Sequence, residues 1–426
     1  MKLDDIRATQ LDGTTKGIPV GTASFPLSEL GSKGWNLLNG DLPMPQMVLR
    51  RSKLDHNLSV FSDYVRSVGA SLAPHGKTTM APQLFAEQIE AGAWGITAAT
   101  VQQAAVMHRY GVRRVLMANQ LIGKANVLGA AALLNGEAEF DFYTYVDSSA
   151  QLAELTRHLE GVTLKRPMRL LIEIGTMGGR TGLRDNAEAA ALAAEVAKLD
   201  RSRLRFAGLS LFEGIIPGGE QQLGMIRAFA EKVAEVALAL PADLMEGMEE
   251  FILSGGGSGH FDVIADRFSK VTLPVPVRVV LRSGCYITMD HGGYTRTQEA
   301  ARLDPTRSWK SKLEPAIEAW ALVQSMPEPG LALVTMGKRD VPYDSALPKP
   351  LQIYRPGVGF LPCGEAEVRS LNDQHGFVHL GEGADWQIGD ILICGISHPC
   401  TAFDKWRFLP IVDDEYTVVD GVLTYF

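Results

Sequence analysis

The sequence is poor in cysteine. Only Cys285, Cys363, Cys394 and Cys400 occur in 426 residues, none in C-x-x-C spacing. A disulfide framework is therefore excluded as the basis of the fold, and a reduced, cytoplasmic setting is expected. Long apolar runs are also missing: none approaches the roughly 18 residues of a spanning helix. Met1 to Thr15 mixes acidic and basic residues without an apolar centre, so neither membrane insertion nor export is expected. Positive charge is scarce, with 41 Lys and Arg against 49 Asp and Glu and no basic block. That balance gives no electrostatic footprint for nucleic acid or an anionic membrane and leaves small molecules as the expected partners.

What is present is globular-enzyme material, 46% hydrophobic and 21% charged, which is too apolar for a disordered chain. The length exceeds that of a usual single core, so two domains, or one large barrel with an appended domain, are expected. From Ser71 onward, short β-rich runs alternate with longer amphipathic stretches, the pattern of a parallel sheet wrapped by crossover helices. Eight such runs lie near Ser71–Lys77, Trp94–Ala98, Arg114–Ala118, Asp141–Val146, Met168–Glu173, Arg205–Phe212, Glu250–Ser254 and Val277–Arg282. Eight strands predict a (β/α)8 TIM-type barrel. Ala81–Glu90, Val101–Tyr110, Asn186–Leu199 and Gln221–Leu240 read as helices of its outer ring.

After about Lys310 the pattern changes to alternating segments, among them Trp320–Ser325, Leu331–Thr335, Glu367–Ser370, Gly376–Leu380 and Asp390–Ile396. These predict a C-terminal β-domain. The expected division is a lead-in over residues 1–45, a barrel over 46–310 and a β-domain over 311–426, with Gln46–Arg50 a candidate strand of the β-domain.

In a TIM-type barrel the reactive groups sit just after the strands. Lys77 holds such a place in Ala73-Pro74-His75-Gly76-Lys77-Thr78-Thr79, where partial desolvation would favour its amine as a nucleophile. A single lysine after a strand is otherwise an ordinary solvated charge. Ser254-Gly255-Gly256-Gly257-Ser258-Gly259 follows the seventh run, where barrels commonly bind phosphate through backbone N–H groups. The alternative is a turn that uses glycine for its backbone freedom. Glu213, after the sixth run, is placed for proton transfer. His398-Pro399-Cys400 puts an imidazole and a thiol two residues apart, on the same side of an extended segment, a pairing that suits zinc. The alternative is a buried histidine beside a buried cysteine. Cys394 and His379 lie within alternating apolar segments and read as packed core residues.

Pro74-His75-Gly76-Lys77-Thr78 resembles the P-H-x-K-T segment of the D-serine dehydratase and D-threonine aldolase family, whose alanine-racemase-like barrels bind pyridoxal phosphate. The resemblance continues in order through Ala118-Asn119-Gln120, Glu173-Ile174-Gly175, Arg180-Thr181-Gly182, Ser254 to Ser258, Arg282 to Tyr286, and Gln374-His375-Gly376. It implies that Lys77 holds the cofactor aldehyde, Gly256, Gly257 and Ser258 hold its phosphate, and His75 packs near its ring. It implies too that Arg180 faces the phenolic oxygen and that a divalent metal, expected to be zinc, sits on His398 and Cys400. Arg282 and Tyr286 fall in a stretch similar to R-P-G-x-Y, with Ser283 in the place of proline. Arg282 would face the pyridine nitrogen or the phosphate, its alternative being a salt bridge at the rim. For His375 the resemblance implies no fixed role, support of the site through a hydrogen bond being one reading.

The activity implied is dehydration of a D-3-hydroxyamino acid such as D-serine or D-threonine to a 2-keto acid and ammonia, because an H-x-C pair resembles the dehydratases and H-x-D the aldolases. D-threonine aldolase and a non-catalytic pyridoxal-phosphate carrier are the alternatives. The resemblance further implies a homodimer.

Overall fold

The computed structural model describes residues 1–136 and 139–426. All eight expected barrel strands are present, as Ser71–Leu72, Ile96–Ala98, Arg114–Gln120, Asp141–Val146, Met168–Glu173, Leu204–Ser210, Phe251–Gly255 and Val277–Leu281. From the second to the eighth each pairs in parallel with its sequence neighbour, and the eighth returns to pair with the first. The first and second strands meet through the Trp94 N–H, which donates to the Leu72 carbonyl at 2.7 Å, and the Thr97 N–H, which donates to that of Pro74 at 2.8 Å. The sheet is thereby closed.

The first strand is shorter than its apolar run predicts. Pro74 has no N–H to give to a ladder, and the chain then tightens into a 3-10 turn over Gly76–Thr78 that carries Lys77. Inward-facing Ala73, Leu116, Tyr143, Tyr145, Leu171, Ala207, Ile252 and Val280 fill the barrel interior. Alternate strand residues face outward and pack under the helices Pro82–Glu90, Val101–Arg109, Asn186–Ala197 and Gln222–Ala239, among others.

The chain from Ile317 onward forms a largely antiparallel sheet in the order Gly359–Leu361, Lys349–Arg355, Ile391–Gly395, Ile317–Glu328, Leu331–Val334, Gly376–His379, Glu367–Leu371. Gln46–Arg50 joins this sheet rather than the barrel, antiparallel to Ile317–Glu328 and parallel to Phe408–Val412. The lead-in is ordered: Asp4–Arg7 is helical, and Gln10–Leu11 pairs with Phe25–Pro26. Among the described residues no helix is long and apolar enough to cross a membrane.

One buried ion pair fastens the segment after the barrel to its wall. Arg307 Nε donates to Asp262 Oδ2 at 2.7 Å, a second N–H of the same guanidinium reaches Oδ1, and the two side chains are 5% and 1% exposed. Removing one partner leaves an uncompensated buried charge. Asp262→Ala is therefore expected to lower stability by about 3–5 kcal/mol, measured as a shift of the denaturant midpoint at constant m-value.

Candidate active site

The strands end in a common mouth, and their last residues define it. Arg282 directly follows the eighth strand and is buried. Its guanidinium donates to Ser254 Oγ at 2.7 Å, Ser210 Oγ at 3.3 Å and the Leu211 carbonyl at 2.6 Å. It is thus pinned beneath the mouth by neutral acceptors and is not a rim salt bridge. Lys77 and His75 are half-buried at the end of the first strand. Burial, followed by the positive charges of Lys77, Arg282 and Arg180, pushes the His75 imidazole well below its usual pKa. His75 is therefore a neutral ring at physiological pH, and its buried Nδ1 has no hydrogen-bond partner. Arg180 lies over the Phe212 ring at 4.9 Å.

The glycine-rich turn is an anion cradle. Gly256 adopts φ +77°, where a side chain is strained and a Cβ would meet Leu281 Cδ2 at 2.7 Å. Its N–H and that of Gly257 point at the Glu213 carboxylate, at 3.2 and 2.5 Å. Glu213 is thus committed to the turn, a use that departs from the proton-transfer role expected of it, and burial raises its pKa. The Ser258 hydroxyl accepts from the Cys285 backbone N–H at 3.2 Å. A cavity of about 700 Å³ runs from Glu213, Gly257 and Ser258 to Asp344 and His398, and so joins the glycine-rich turn to the C-terminal domain. A smaller cleft of about 230 Å³ lies at the opposite end of the barrel. Its Arg114 is occupied by Asp141 at 3.2 Å, and barrels place their chemistry at the other end.

His398 and Cys400 come together, but not as strand neighbours. The strand ends at Gly395, Pro399 takes helical angles of φ −56° and ψ −39°, and Cys400 opens the short helix Cys400–Phe403. The turn, rather than strand alternation, makes them meet. His398 Nδ1 lies 2.6 Å from Asp344 Oδ2. The neighbouring Cys400 sulfur, opposed by burial but helped by Asp344, raises the His398 pKa to about 9. Cys400 is held well below its usual value by Cys285, against burial, and then by His398. The Cys400 sulfur lies 3.4 Å from Thr78 Oγ1, next to Lys77 in the same chain. Among the described residues no cluster of three or more His, Cys, Asp or Glu side chains stands pre-formed as a metal site.

Three expectations fall elsewhere. Tyr286 is buried away from the mouth, stacked on Phe61 with ring centroids 4.4 Å apart, and its hydroxyl accepts from Gln88 at 3.3 Å. His375 is exposed at the turn between Glu367–Leu371 and Gly376–His379. His379 is exposed, because strand alternation turns it to solvent rather than into the core, whereas Cys394 is buried as expected. Sequence reasoning missed Asp344, Phe212, Thr78 and the serines under Arg282. Ser210 and Ser254 could have been found as polar residues ending otherwise apolar strands. Asp344 is 54 residues from its partner and gave no local signal.

Two family profiles match the chain: "Alanine racemase, N-terminal domain" over residues 49–243 and "Putative serine dehydratase domain" over 316–412. The chain is 24% identical over 379 residues to D-threonine aldolase of an Arthrobacter sp, covering 87% of this chain and 89% of that one. Among solved structures it is similar to D-threonine aldolase from Filomicrobium marinum, with a TM-score of 0.74 and 27% identity over 92% of this chain and 97% of the other. It shares its fold with D-threo-3-hydroxyaspartate dehydratase from Delftia sp. HT23, with a TM-score of 0.69 at 18% identity over 92% and 99% of the two chains.

The cradle generates a prediction. Glu213 and a phosphate would compete for the same two N–H donors. Glu213→Ala is therefore expected to tighten pyridoxal-phosphate binding about tenfold, the worth of one charge-assisted hydrogen bond of about 1.5 kcal/mol. Equilibrium titration of the cofactor-free protein checks this, and weaker binding would show that Glu213 supports the ligand instead.

Proposed function

We propose, from the premise that this chain belongs with the alanine-racemase-like enzymes that carry a serine dehydratase-type C-terminal domain, that it is a pyridoxal-phosphate-dependent lyase of D-3-hydroxyamino acids. The reaction proposed is dehydration to a 2-keto acid and ammonia. The observation that carries this reading is the seating of Cys400, with His398, against the turn that bears Lys77. A metal-binding pair there can act on the β-substituent of a molecule whose amine and Cα are handled by the lysine.

The residues present fit pyridoxal phosphate. The turn at Gly256 and Gly257 already directs two N–H groups at an anion, and the buried Nδ1 of His75 lacks a partner. The cavity that opens at Gly257 and Ser258 is large enough for a cofactor and a small amino acid. Bound there, the cofactor would supply an aldehyde that condenses with amines and a ring that accepts negative charge from Cα. Lys77 would carry that aldehyde until a substrate amine replaces it, and its freed amine would then take the Cα proton. Gly256, Gly257 and Ser258 would hold the phosphate, after Glu213 yields their N–H groups. His75, uncharged, would pack against the ring without protonating it. Arg180, braced on Phe212, would present its cation to the phenolic oxygen, while the pinned Arg282 would contribute fixed positive charge from below.

The donor set of one imidazole and one thiolate fits zinc. A divalent metal there would supply Lewis acidity towards the β-hydroxyl worth several kcal/mol. Asp344 fixes the His398 ring for that task.

The names of the relatives favour a second reading. D-threonine aldolases are among them, and the same side chains would serve cleavage of the Cα–Cβ bond to glycine and an aldehyde. Incubation of the pure protein with D-threonine, with and without a chelator, separates the two. Metal-dependent 2-ketobutyrate and ammonia are expected, whereas glycine and acetaldehyde would establish the aldolase. A protein that binds the cofactor but turns over no D-3-hydroxyamino acid would be a carrier. Lys77→Ala is expected to lower kcat by at least about 10²–10⁴-fold and to abolish the absorbance of lysine-bound cofactor. His398→Ala is expected to remove the chelator-sensitive part of turnover, and retention of that part would refute the metal assignment.

A further inference from the structure

His260 directly follows the glycine-rich turn. Its carbonyl accepts the N–H groups of Val263 at 3.2 Å and Ile264 at 3.4 Å, which starts the helix Phe261–Phe268. The Arg307 guanidinium holds both flanks of the residue, reaching the Gly259 carbonyl at 3.5 Å and Asp262 Oδ2 at 2.7 Å. The side chain is thus carried on a fixed junction between loop and helix. Its ring lines the cavity of about 700 Å³ together with Ser258, Asp344 and His398, and its buried Nδ1 has no hydrogen-bond partner.

A proton that leaves a β-hydroxyl needs an acceptor with a free lone pair. Of the carboxylates on the cavity wall, Glu213 faces the N–H groups of Gly256 and Gly257, and Asp344 is bonded to His398 and Thr401. Asp290 accepts from the N–H groups of Gly292, Tyr294 and Thr295 at 3.0, 3.2 and 3.1 Å. The Cys285 sulfur and burial raise the Tyr294 pKa, so its hydroxyl keeps its own proton. His260 differs from all of these. Burial, then Arg307, lowers its pKa to about 4 against the pull of Asp262, so the ring is uncharged at neutral pH and keeps a lone pair. His75 faces three cations, whereas His260 faces Arg307, whose charge the Asp262 carboxylate opposes. A phosphate held by Gly256, Gly257 and Ser258 would add nearby negative charge, which favours a ring that has gained a proton.

We infer that His260 is the residue that takes the β-hydroxyl proton, and that it gives the site a minor carbon–carbon cleavage beside elimination. The O–H bond breaks, its proton passes to the imidazole, and its electron pair becomes the second bond of an aldehyde carbonyl. The Cα–Cβ bond breaks and its pair stays with Cα, which gains a proton at Lys77 to give glycine. His260 then returns its proton to solvent. The substrate divides into glycine and an aldehyde with no oxidant or reductant consumed. The inference rests on the lyase reading given above.

The test uses the full-length protein loaded with pyridoxal phosphate and zinc, with D-threonine as substrate and both product pairs measured in one reaction. Wild type is expected to form glycine and acetaldehyde as minor products beside 2-ketobutyrate and ammonia. In His260→Gln and His260→Ala the ratio of glycine to 2-ketobutyrate should fall at least about 10²-fold, the usual worth of a positioned base. Added imidazole should restore the ratio in His260→Ala. His108→Gln, at a half-buried histidine of the outer helix Val101–Arg109, should leave it unchanged. Wild type that forms 2-ketobutyrate without glycine, or variants that keep the wild-type ratio, would overturn the inference and leave the dehydratase reading standing. Glycine as the main product, lost with His260, would support the inference and overturn dehydration instead. Histidine-labelled NMR of the cofactor-free protein gives a readout apart from turnover. The His260 ring, assigned by its loss in His260→Gln, is expected to stay uncharged down to about pH 5, and a ring already charged at neutral pH has no lone pair to offer and would sink the idea.

Discussion

The relation between the two halves of the molecule depends on a strand that lies far from its sequence neighbours. Gln46–Arg50 is inserted between Ile317–Glu328 and Phe408–Val412, so the chain enters the barrel from within the C-terminal sheet. Arg50 at its end is buried, bonding Glu318 at 3.3 Å and the Tyr416 hydroxyl at 2.7 Å. The helix Arg51–Ser67 starts at the next residue, so the first barrel helix has its origin fixed by the sheet. At the other end of the chain the Tyr425 N–H donates to the Met80 carbonyl, just beyond the lysine turn, at 3.0 Å. With both ends tied, the connection after Ile391–Gly395 reaches the mouth, and Cys400 meets Thr78. The alignment of the donor pair with Lys77 is thus a consequence of strand pairing between segments about 270 and 362 residues apart in sequence.

The mouth is built for an anion. Lys77, Arg180 and Arg282 all act on His75 and, with burial, keep it uncharged. Glu213 is the buried carboxylate that occupies the backbone donors between them. In a partly desolvated site each charge interaction exceeds its value in water several-fold, and because the three cations are matched at the strand ends by Glu173, Asp147 and Glu213, a ligand with negative charge is favoured where it takes the place of one of these carboxylates. A phosphate monoester has that charge. The Glu213 carboxylate, whose charged form burial already disfavours, is a weak competitor for such a ligand. The same two N–H groups would then serve folding and binding in turn.

The barrel was legible in the sequence because parallel strands buried on both faces are written as short, near-continuous apolar runs, and eight can be counted. Strand ends were less legible. The first run reads as a strand through Lys77, yet Pro74 cannot donate to a ladder, and a 3-10 turn replaces it. The lysine and the glycine turn could be picked out by their positions after strands. The groups that tune them could not: Phe212 under Arg180 and Asp344 on His398 are contacts made only by the fold. The H-x-C pair was read correctly as a meeting of side chains but for the wrong reason, since a helical turn at Pro399 brings them together. Tyr286 lay in a motif-like stretch beside Arg282, but a one-residue step along an irregular backbone is enough to send a ring into the core, where it stacks on Phe61.

The chemistry of the donor set bears on which bond would break. Loss of hydroxide needs positive charge on the departing oxygen, whereas cleavage of the carbon–carbon bond needs the β-hydroxyl proton removed by a base. A metal serves both, by stabilising oxygen that carries negative charge. The difference lies in whether a base stands ready for that proton. The carboxylate on the cavity wall nearest the glycine-rich turn, Glu213, is spent on Gly256 and Gly257, and Asp344 is spent on His398 and on Thr401, whose hydroxyl donates to it at 2.8 Å. His75 is held uncharged among cations, where gaining a proton is disfavoured. Of the other titratable groups on the cavity wall, Asp290 accepts from the Gly292, Tyr294 and Thr295 N–H groups, which leaves the His260 imidazole, uncharged through burial and without a partner on Nδ1, as the group that a β-hydroxyl proton would reach.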